Sequence, residues 1–268
     1  MTPPLSATAE IVLPHRSEMA AVIASLPDAL LWHDDTADLV AVSGDTGWPE
    51  RVRAHINAGA RGILLVDPVA ISVEEFDAIE AHRDVVVVIE WPFVADAALS
   101  LVAAPSDVRM PPGDLIECRM VVPVHTRLER TLVGHLAFTR GALGAGIASA
   151  RALEWSEHGY TVLARMADGR RCLLTAAATG TQPPHASVRF VAERGEIEFT
   201  VPDADVERAA RLSVSSSHGV ALVPIVHERA HRAPWRRLHS LVLRGSASSD
   251  LREFGVNSLL AGSITGSG

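Results

Sequence analysis

The segment "DLVAVSGDTGWPERVRAHINAGARGILLVDPVAISVEEFDAIEA" (residues 38–81) decides the fold class of this chain. Two short apolar runs, 38–43 and 62–66, are typical of strands buried on both faces of a sheet. Between them, residues 48–59 predict a helix, because Pro49 suits a first helical turn and Gly59 suits a helix end. This alternation of strand and helix predicts a parallel sheet with right-handed crossovers.

The first hundred residues repeat the same alternation. We expect further strands over 9–13 and 84–90, and helices over 17–26, 72–82 and 93–104. The stretch 105–114 is rich in proline and glycine, so we expect it to separate two domains.

Beyond this break the pattern changes. Antiparallel strands are predicted over 115–124, 160–178, 187–201 and 219–226, and Asp168-Gly169 and Arg194-Gly195 fit hairpin turns. Helices are predicted over 142–156, 234–244 and 250–262, and residues 128–140 fit an amphipathic helix at least as well as a strand. The sequence therefore predicts an α/β protein with a Rossmann-like parallel-sheet domain over 1–108. An α+β domain with a large, mostly antiparallel sheet follows over 109–268.

Composition excludes several classes of function. The net charge of −8 argues against a nucleic-acid partner. No apolar run is long enough to span a membrane, and the first residues lack the features of a secretory signal, so we expect a cytoplasmic protein. All 24 basic residues are arginine, which excludes mechanisms that need a lysine amine.

The residues that could hold a metal ion do not have the spacing of a metal site. Cys118 and Cys172 are far apart in the sequence, and we expect two buried free thiols in a reducing compartment. His227 and His231 are four residues apart, which would place both on one helix face. Without an obvious carboxylate or cysteine partner they predict a solvated polar face, and we expect no metal.

Two stretches of the chain resemble the Gfo/Idh/MocA family, the glucose-fructose and inositol dehydrogenase-like oxidoreductases. In that family a strand ends in Glu-Lys-Pro; here it ends in Val66-Asp67-Pro68, followed by "VAISVEEFDAI". The stretch "GALGAGIASARALEW" (141–155) resembles the family's cleft helix, "GGALLDxGxHxxDLLRW". The resemblance extends from about residue 9 to the C-terminal helices, and it implies oligomerisation through the C-terminal sheet.

The same resemblance implies departures from the family. We expect the chain to begin at the family's second strand, so that its parallel-sheet domain is truncated by the first βα unit. No glycine occurs before Gly44, which excludes a G-x-G-x-x-G phosphate loop there. At the position of the family's lysine, this chain has Asp67. If Gly146 and Trp155 set the register, the family's Asp, His and Asp fall on Gly144, Ala148 and Arg151.

The segment Gly144 to Ser149 also matches G-x-G-x-x-S, which invites a second interpretation as a dinucleotide loop. Such a loop follows a parallel strand and precedes a helix and another strand. Here a hairpin pattern follows Trp155, so we favour a helix and expect no cofactor. On a helix, Gly144, Ala148 and Arg151 would share one face.

The implied cleft retains several polar residues. The candidate catalytic residues are Glu90, His125 and Arg151. The residues expected to line the cleft are Asp67, Trp91, Gly144, Ala148, Arg151 and Tyr160, with Glu154 and His158 nearby. Glu90 ends a buried strand, where it is either a partly buried acid or base or an ordinary exposed carboxylate. Arg151 would suit an anionic small-molecule ligand.

Three functions remain open at the level of sequence. The first is a degenerate oxidoreductase-like protein without NAD(P) redox activity, acting as a non-catalytic partner or regulatory subunit in a homo- or hetero-oligomer. The second is a repurposed cofactor-independent isomerase, lyase or cyclase of a biosynthetic pathway. The third is an NAD(P)-dependent oxidoreductase with a rebuilt cofactor site.

Overall fold

The computed structural model describes residues 5–10, 13, 16–26, 30–33, 37–82, 84–94, 115–203, 208–223 and 231–266. The chain divides into two compact units, Met1–Trp91 with Arg229–Val256, and Pro92–Glu228 with Asn257–Gly268. The described helices are α1 (Arg16–Ser25), α2 (Trp48–Asn57), α3 (Val73–Glu80), α4 (Leu128–Leu143), α5 (Arg232–Arg244) and α6 (Asp250–Thr265). Among these residues, no helix is both long and apolar enough to cross a membrane.

The first unit contains a five-stranded parallel sheet. Its strands are β1 (Leu5–Ala9), β2 (Leu30–Trp32), β3 (Leu39–Ser43), β4 (Gly62–Val66) and β5 (Val86–Glu90), in the order β2-β1-β3-β4-β5. The two runs that predicted buried strands are confirmed, because β3 and β4 consist almost entirely of buried residues. α3 begins with a capping box in which Ser72 and Glu75 satisfy each other's backbone N–H groups.

The position of β1 contradicts the predicted loss of the first βα unit. β1 lies between β2 and β3, so the strand order reverses there. In the doubly wound order 3-2-1-4-5-6, that inner position belongs to the first strand of the fold. Among the described residues, the sheet instead lacks a strand outside β2. The predicted strand at 9–13 was also misplaced, since β1 ends at Ala9.

The edge strand β5 is protected by the C-terminal part of the chain. The backbone N–H of Ile89 donates to the Asp250 carboxylate over 2.9 Å, and Arg237 binds the same carboxylate through two nitrogens at 2.6 and 2.5 Å. Residues 229–256 therefore belong to the first unit, whereas the sequence placed them in the second domain. The boundary at 108 and residues 95–104 of the predicted helix lie outside the described residues.

The second unit contains an eight-stranded mixed sheet in the order β13-β12-β11-β10-β6-β9-β8-β7. Its strands are β6 (Leu115–Val122), β7 (Ile147–Ser156), β8 (Gly159–Met166), β9 (Arg171–Ala178), β10 (His185–Ala192), β11 (Gly195–Pro202), β12 (Arg211–Ser216) and β13 (Gly219–Val223). All neighbours are antiparallel except β6 and β9. The two-sheet fold class is therefore confirmed, and α4 contacts β6 and β9 on one face of this sheet.

The predicted helix over 142–156 is wrong. α4 ends at Leu143 because Gly144 adopts the left-handed conformation, with φ of 62°, that closes a helix. Residues 147–156 instead pair with β8 as strand β7, with irregular register near Ser149 and Glu154. The alanine-rich sequence favours a helix locally, but pairing in the sheet overrides that preference. Gly144, Ala148 and Arg151 therefore share no helix face.

Candidate functional site

Ligands of open parallel sheets bind at the carboxyl ends of the strands, near the point where the strand order reverses. In this chain that edge carries Glu10 after β1, Ser43 at the end of β3 with Gly44 directly after it, Asp67 after β4, and Glu90 at the end of β5. All five residues belong to the first unit. They form two groups. The Glu10 group consists of Glu10, Ser43, Arg51 and His55, and the second group consists of Asp67 and Glu90.

The side chain of Glu10 is largely buried, and both of its carboxylate oxygens have partners. Its side chain is 8% exposed, Oε1 lies 3.3 Å from His55 Nε2, and Oε2 lies 3.3 Å from Arg51 Nε. Oε2 also accepts the backbone N–H of Ser43 over 3.3 Å. Arg51 in turn donates to the Ser43 carbonyl over 2.8 Å and binds Asp45. The carboxylate thereby ties the end of β1 to β3 and α2.

The Glu10 group does not fit the pyrophosphate of a dinucleotide. A glycine-rich turn after the first strand normally offers backbone N–H groups to the phosphates at this place. Here the turn contains no glycine, and its first residue is a buried carboxylate. Arg51, the neighbouring cation, already binds Glu10 and Asp45. The sequence analysis missed Glu10; its signal was an acidic residue directly after a strand that leads into a glycine-free turn.

The ends of β3 and β4 approach each other closely. The N–H of Gly44 donates to the Val66 carbonyl over 2.7 Å, and a Cβ on Gly44 would lie 2.3 Å from Pro68 Cα. Only glycine fits this position. Asp67, which stands where the resemblance places a lysine, has a left-handed φ of 47° and donates its N–H to the Glu90 carbonyl over 2.8 Å.

Glu90 and His231 form a buried pair. Oε1 of Glu90 lies 2.6 Å from Nδ1 of His231, and their side chains are 8% and 10% exposed. The alternative of an exposed strand-end carboxylate is therefore wrong for Glu90. The predicted solvated face is wrong for His231, while His227 lies outside the described residues. Sequence spacing gave no signal of this pair, because its members are 141 residues apart.

The two oxygens of Glu90 have different surroundings. Oε1 binds His231, whereas Oε2 is buried without a hydrogen-bond partner in the described part of the chain. His231 immediately precedes α5 and has a φ of 66°. A non-glycine residue in this conformation costs roughly 1 kcal/mol or more, and such residues cluster at functional sites.

Trp91, which we expected to line a cleft, is instead buried among aromatic residues of the first unit. Its ring lies 6.1 Å from that of Phe254, which also meets Trp48 edge-on at 5.9 Å. The indole N–H of Trp48 donates to the Val69 carbonyl over 3.0 Å. These rings form part of the packed interior of the first unit.

The candidates in the second unit lie in different settings. His125 is exposed in the turn between β6 and α4, and Arg151 and Ala148 are exposed on β7. Gly144 caps α4. Tyr160 is buried, with its hydroxyl 3.0 Å from His135 Nδ1 and its ring stacked on Trp155 at 5.0 Å. The structure thus places Tyr160 beside His135, a residue that the sequence analysis did not identify.

His135 lies on α4 and is completely buried. Burial lowers its pKa to about 3, so its imidazole is neutral near pH 7, and burial also raises the pKa of Tyr160. Because α4 rather than 142–156 is the helix before β7, the register that placed the family's histidine on Ala148 loses its basis. The inferred loss of a helical histidine is therefore not supported, since α4 carries His135.

The described residues hold no group of three side chains suited to a metal ion. Cys118 and Cys172 are free and buried, as predicted, with their sulfur atoms 3.5 Å apart. The hydrogen bond between the two thiols and burial raise the pKa of Cys172, so the Cys172 thiol is not a ready nucleophile.

No family model and no curated protein matches the sequence. Solved structures match its fold. UDP-N-acetylglucosamine 3-dehydrogenase GnnA from Acidithiobacillus ferrooxidans is 13% identical with a TM-score of 0.75, over 98% of this chain and 97% of that chain. KijD10, a 3-ketoreductase from Actinomadura kijaniata in complex with NADP, is 11% identical with a TM-score of 0.73, over 98% and 97%.

A putative NADPH-dependent oxidoreductase from Desulfitobacterium hafniense is 12% identical with a TM-score of 0.75, over 100% of this chain and 97% of that chain. At these identities the likeness shows the fold alone. That fold is the two-domain fold of Gfo/Idh/MocA-type dehydrogenases, which the resemblance implied.

Proposed function

We propose that this chain keeps a dehydrogenase fold without NAD(P)-dependent hydride transfer, and that it acts as a partner or regulatory subunit of another chain. The observation that carries this proposal is the paired, buried Glu10 at the point where the strand order reverses. GnnA is a dehydrogenase and KijD10 is a ketoreductase, and both of these activities require a hydride carrier.

Electrostatics argues against a pyrophosphate beside Glu10. Two like unit charges about 4 Å apart repel each other by about 4 kcal/mol at an effective dielectric of about 20. A helix N-terminus contributes only about 1 kcal/mol of opposite sign. Arg51 does not reverse this balance, because it is shared by Glu10 and Asp45. Asp67 adds a second acid where the resemblance places a lysine.

The second sheet supports the proposed role as a partner. One face of this sheet packs against α4, and the other face does not. Cross-strand pairing places five residues in one row on the face away from α4: Arg151, Leu163, Leu173, Glu117 and Arg189. In this row, Arg189 binds Glu196 through two nitrogens at 2.8 Å and also reaches Glu117 at 3.4 Å. The two leucines lie between charged side chains in this row, which resembles the apolar core and polar rim of a protein interface.

Isothermal calorimetry with NADH and NADPH tests the redox part of the proposal. We expect no measurable heat with either nucleotide, while KijD10, which binds NADP, serves as the positive control. Micromolar affinity of this chain for either nucleotide would overturn the proposal. It would then favour the third function, an oxidoreductase with a rebuilt cofactor site.

A further inference from the structure

The outer edge of β5 carries backbone groups that point away from the sheet. β5 is an edge strand of the parallel sheet, and its inner edge pairs with β4. On that inner edge, the N–H of Val86 donates to the Arg61 carbonyl over 3.1 Å. The N–H and C=O of one strand residue point to the same side, and the side alternates along the strand. Val87 and Ile89 therefore direct these groups outward.

The C-terminal part of the chain caps one of these two outward positions. The N–H of Ile89 donates to the Asp250 carboxylate over 2.9 Å, so a side chain takes the place of a neighbouring strand. Val87 is 7% exposed, and neither its N–H nor its C=O has a hydrogen-bond partner among the described residues. Because buried backbone polar groups are almost always paired, Val87 indicates a missing partner.

A cavity of about 510 Å³ lies beside this open part of the edge, which gives a partner room to reach Val87. Its described lining residues all belong to the first unit. Apolar residues line it from β5 and the residue before it, α3, α5 and α6: Val85, Val86, Val87, Ile79, Val242 and Leu251. Val86 begins β5 and Glu90 ends it, so the cavity is separate from the carboxyl edge of the sheet.

We propose that this cavity is a docking groove for a short extended peptide of a partner protein, which adds to β5 as an antiparallel strand opposite Val87. One residue of such a peptide accepts the Val87 N–H and donates its own N–H to the Val87 carbonyl, which satisfies both groups at once. The groove is a contact surface in addition to the row of Leu163 and Leu173. It requires neither that row nor the absence of nucleotide binding, so it stands independently of the proposed function.

The charge at the rim of the groove selects the peptide. Asp84 and Glu80 are exposed acids of the lining, and Asp84 forms no ion pair with another described residue. Glu80 lies 3.8 Å from Arg252. Arg61, a cation of the lining, already lies 3.9 Å from Asp38. A peptide with a cationic side chain opposite Val85, next to Asp84, therefore complements the rim.

Titration with the capped peptide acetyl-Thr-Val-Thr-Val-Arg-amide tests the proposal. With its central threonine opposite Val87 in an antiparallel pair, its arginine lies opposite Val85. Nuclear magnetic resonance of the ¹⁵N-labelled protein follows the Val87 amide. We expect its resonance to shift and to saturate with peptide concentration, and its hydrogen exchange to slow by about tenfold at saturation.

A methylated peptide separates strand addition from attraction by charge alone. The same peptide with an N-methyl group on the central threonine keeps every side chain and the net charge but cannot donate to the Val87 carbonyl. It should bind about tenfold more weakly, because the carbonyl then stays without a partner. Equal affinity for the two peptides, an unshifted Val87 amide, or no binding at millimolar peptide would overturn the proposal.

Variants of the protein test the charge of the rim. Asp84→Asn should weaken binding of the unmethylated peptide about threefold, the size expected of an exposed ion pair. Glu157→Gln removes the same charge in the exposed turn between β7 and β8 and should leave the affinity unchanged. Circular dichroism checks the fold of both variants. Equal affinities of the two variants would refute the role of Asp84. Nucleotide binding would contradict the proposed function and leave these results unaffected.

Discussion

Glu10 and Arg51 meet at the point where the strand order of the parallel sheet reverses, with Oε2 3.3 Å from Nε. The pair joins the residue after β1 to α2, and its carboxylate lies where related folds place glycine and phosphate. The same acidic side chain thus links β1 to β3 and α2 and is the residue on which the proposed function rests.

Glu10→Ala should destabilise the first unit. The substitution removes the acceptor of the Ser43 N–H and the ion-pair partner of Arg51. Losing a hydrogen bond to a charged group costs about 2 kcal/mol. Urea unfolding measures the change. Glu50→Ala is the control, because Glu50 forms an exposed pair with Arg53 and should change stability by less than about 0.5 kcal/mol. Equal effects of the two substitutions would show that the contacts of Glu10 contribute no more to the free energy of unfolding than an exposed ion pair does.

Gly44→Ala should be strongly destabilising. The added Cβ would lie 2.3 Å from Pro68 Cα and 2.5 Å from the Val66 carbonyl oxygen, both of them backbone atoms. Overpacking of this kind costs about 1–3 kcal/mol, and the fixed backbone places Gly44 at the upper end. Thermal unfolding provides the measurement, with Gly180→Ala as the matched control, since no atom lies near its Cβ position. A stable Gly44→Ala protein would show that the ends of β3 and β4 can move apart.

The stability of the second unit should depend on His135 in acid. Burial lowers the folded-state pKa of His135 to about 3, whereas an unfolded histidine has a pKa of about 6.5. The unfolded state therefore binds the proton first. This contribution is complete above about pH 6.5 and is lost as the pH falls toward the folded pKa, with a limiting slope of about 1.4 kcal/mol per pH unit.

Urea unfolding at a series of pH values between neutrality and pH 4 checks this dependence. His135→Leu should show a shallower loss of stability than the natural chain, whatever its stability near neutrality. His158→Gln is the control, because His158 is exposed and should leave the slope unchanged. Parallel curves for the natural chain and His135→Leu would contradict the buried, neutral state of His135.

Replacing leucines on the proposed interface should disrupt association. Leu163 and Leu173 are cross-strand neighbours on the same face as Arg189 and Glu117, so Leu163→Asp with Leu173→Asp should shift an oligomer toward monomer. Light scattering after size-exclusion chromatography measures the mass, alone and with a candidate partner chain. Val124→Asp, in the exposed turn before α4, is the control. An unchanged mass for the double variant would exclude this face as the interface.

Much of the fold could be predicted from short stretches of sequence. β3, β4, α2 and α3 follow from apolar runs, Pro49, Gly59 and Ser72, because each signal lies within the element that it specifies. β7 could not be predicted in this way. Its alanines favour a helix, and only hydrogen bonding to β8 makes the extended form the more stable one.

The candidate site shows the same limit more sharply. The sequence identified Glu90 as a residue at the carboxyl end of a buried strand, because strand ends and burial are properties of local pattern. It gave no indication of the bond to His231, nor of the oxygen that this bond leaves unpaired. Likewise, the sequence shows that no glycine precedes Gly44, but it does not show the ion pair between Glu10 and Arg51 that lies there instead.

The sequence by itself determined the α/β class, the glycine-free first turn, the absence of lysine and the buried strands, since composition and periodicity are local quantities. Only the tertiary structure decided which strand lies at the reversal point, whether 147–156 is helix or strand, and which partners Glu10 and Glu90 acquire. Strand order and the pairing of distant side chains depend on how the whole chain packs, and no short window of residues contains that information.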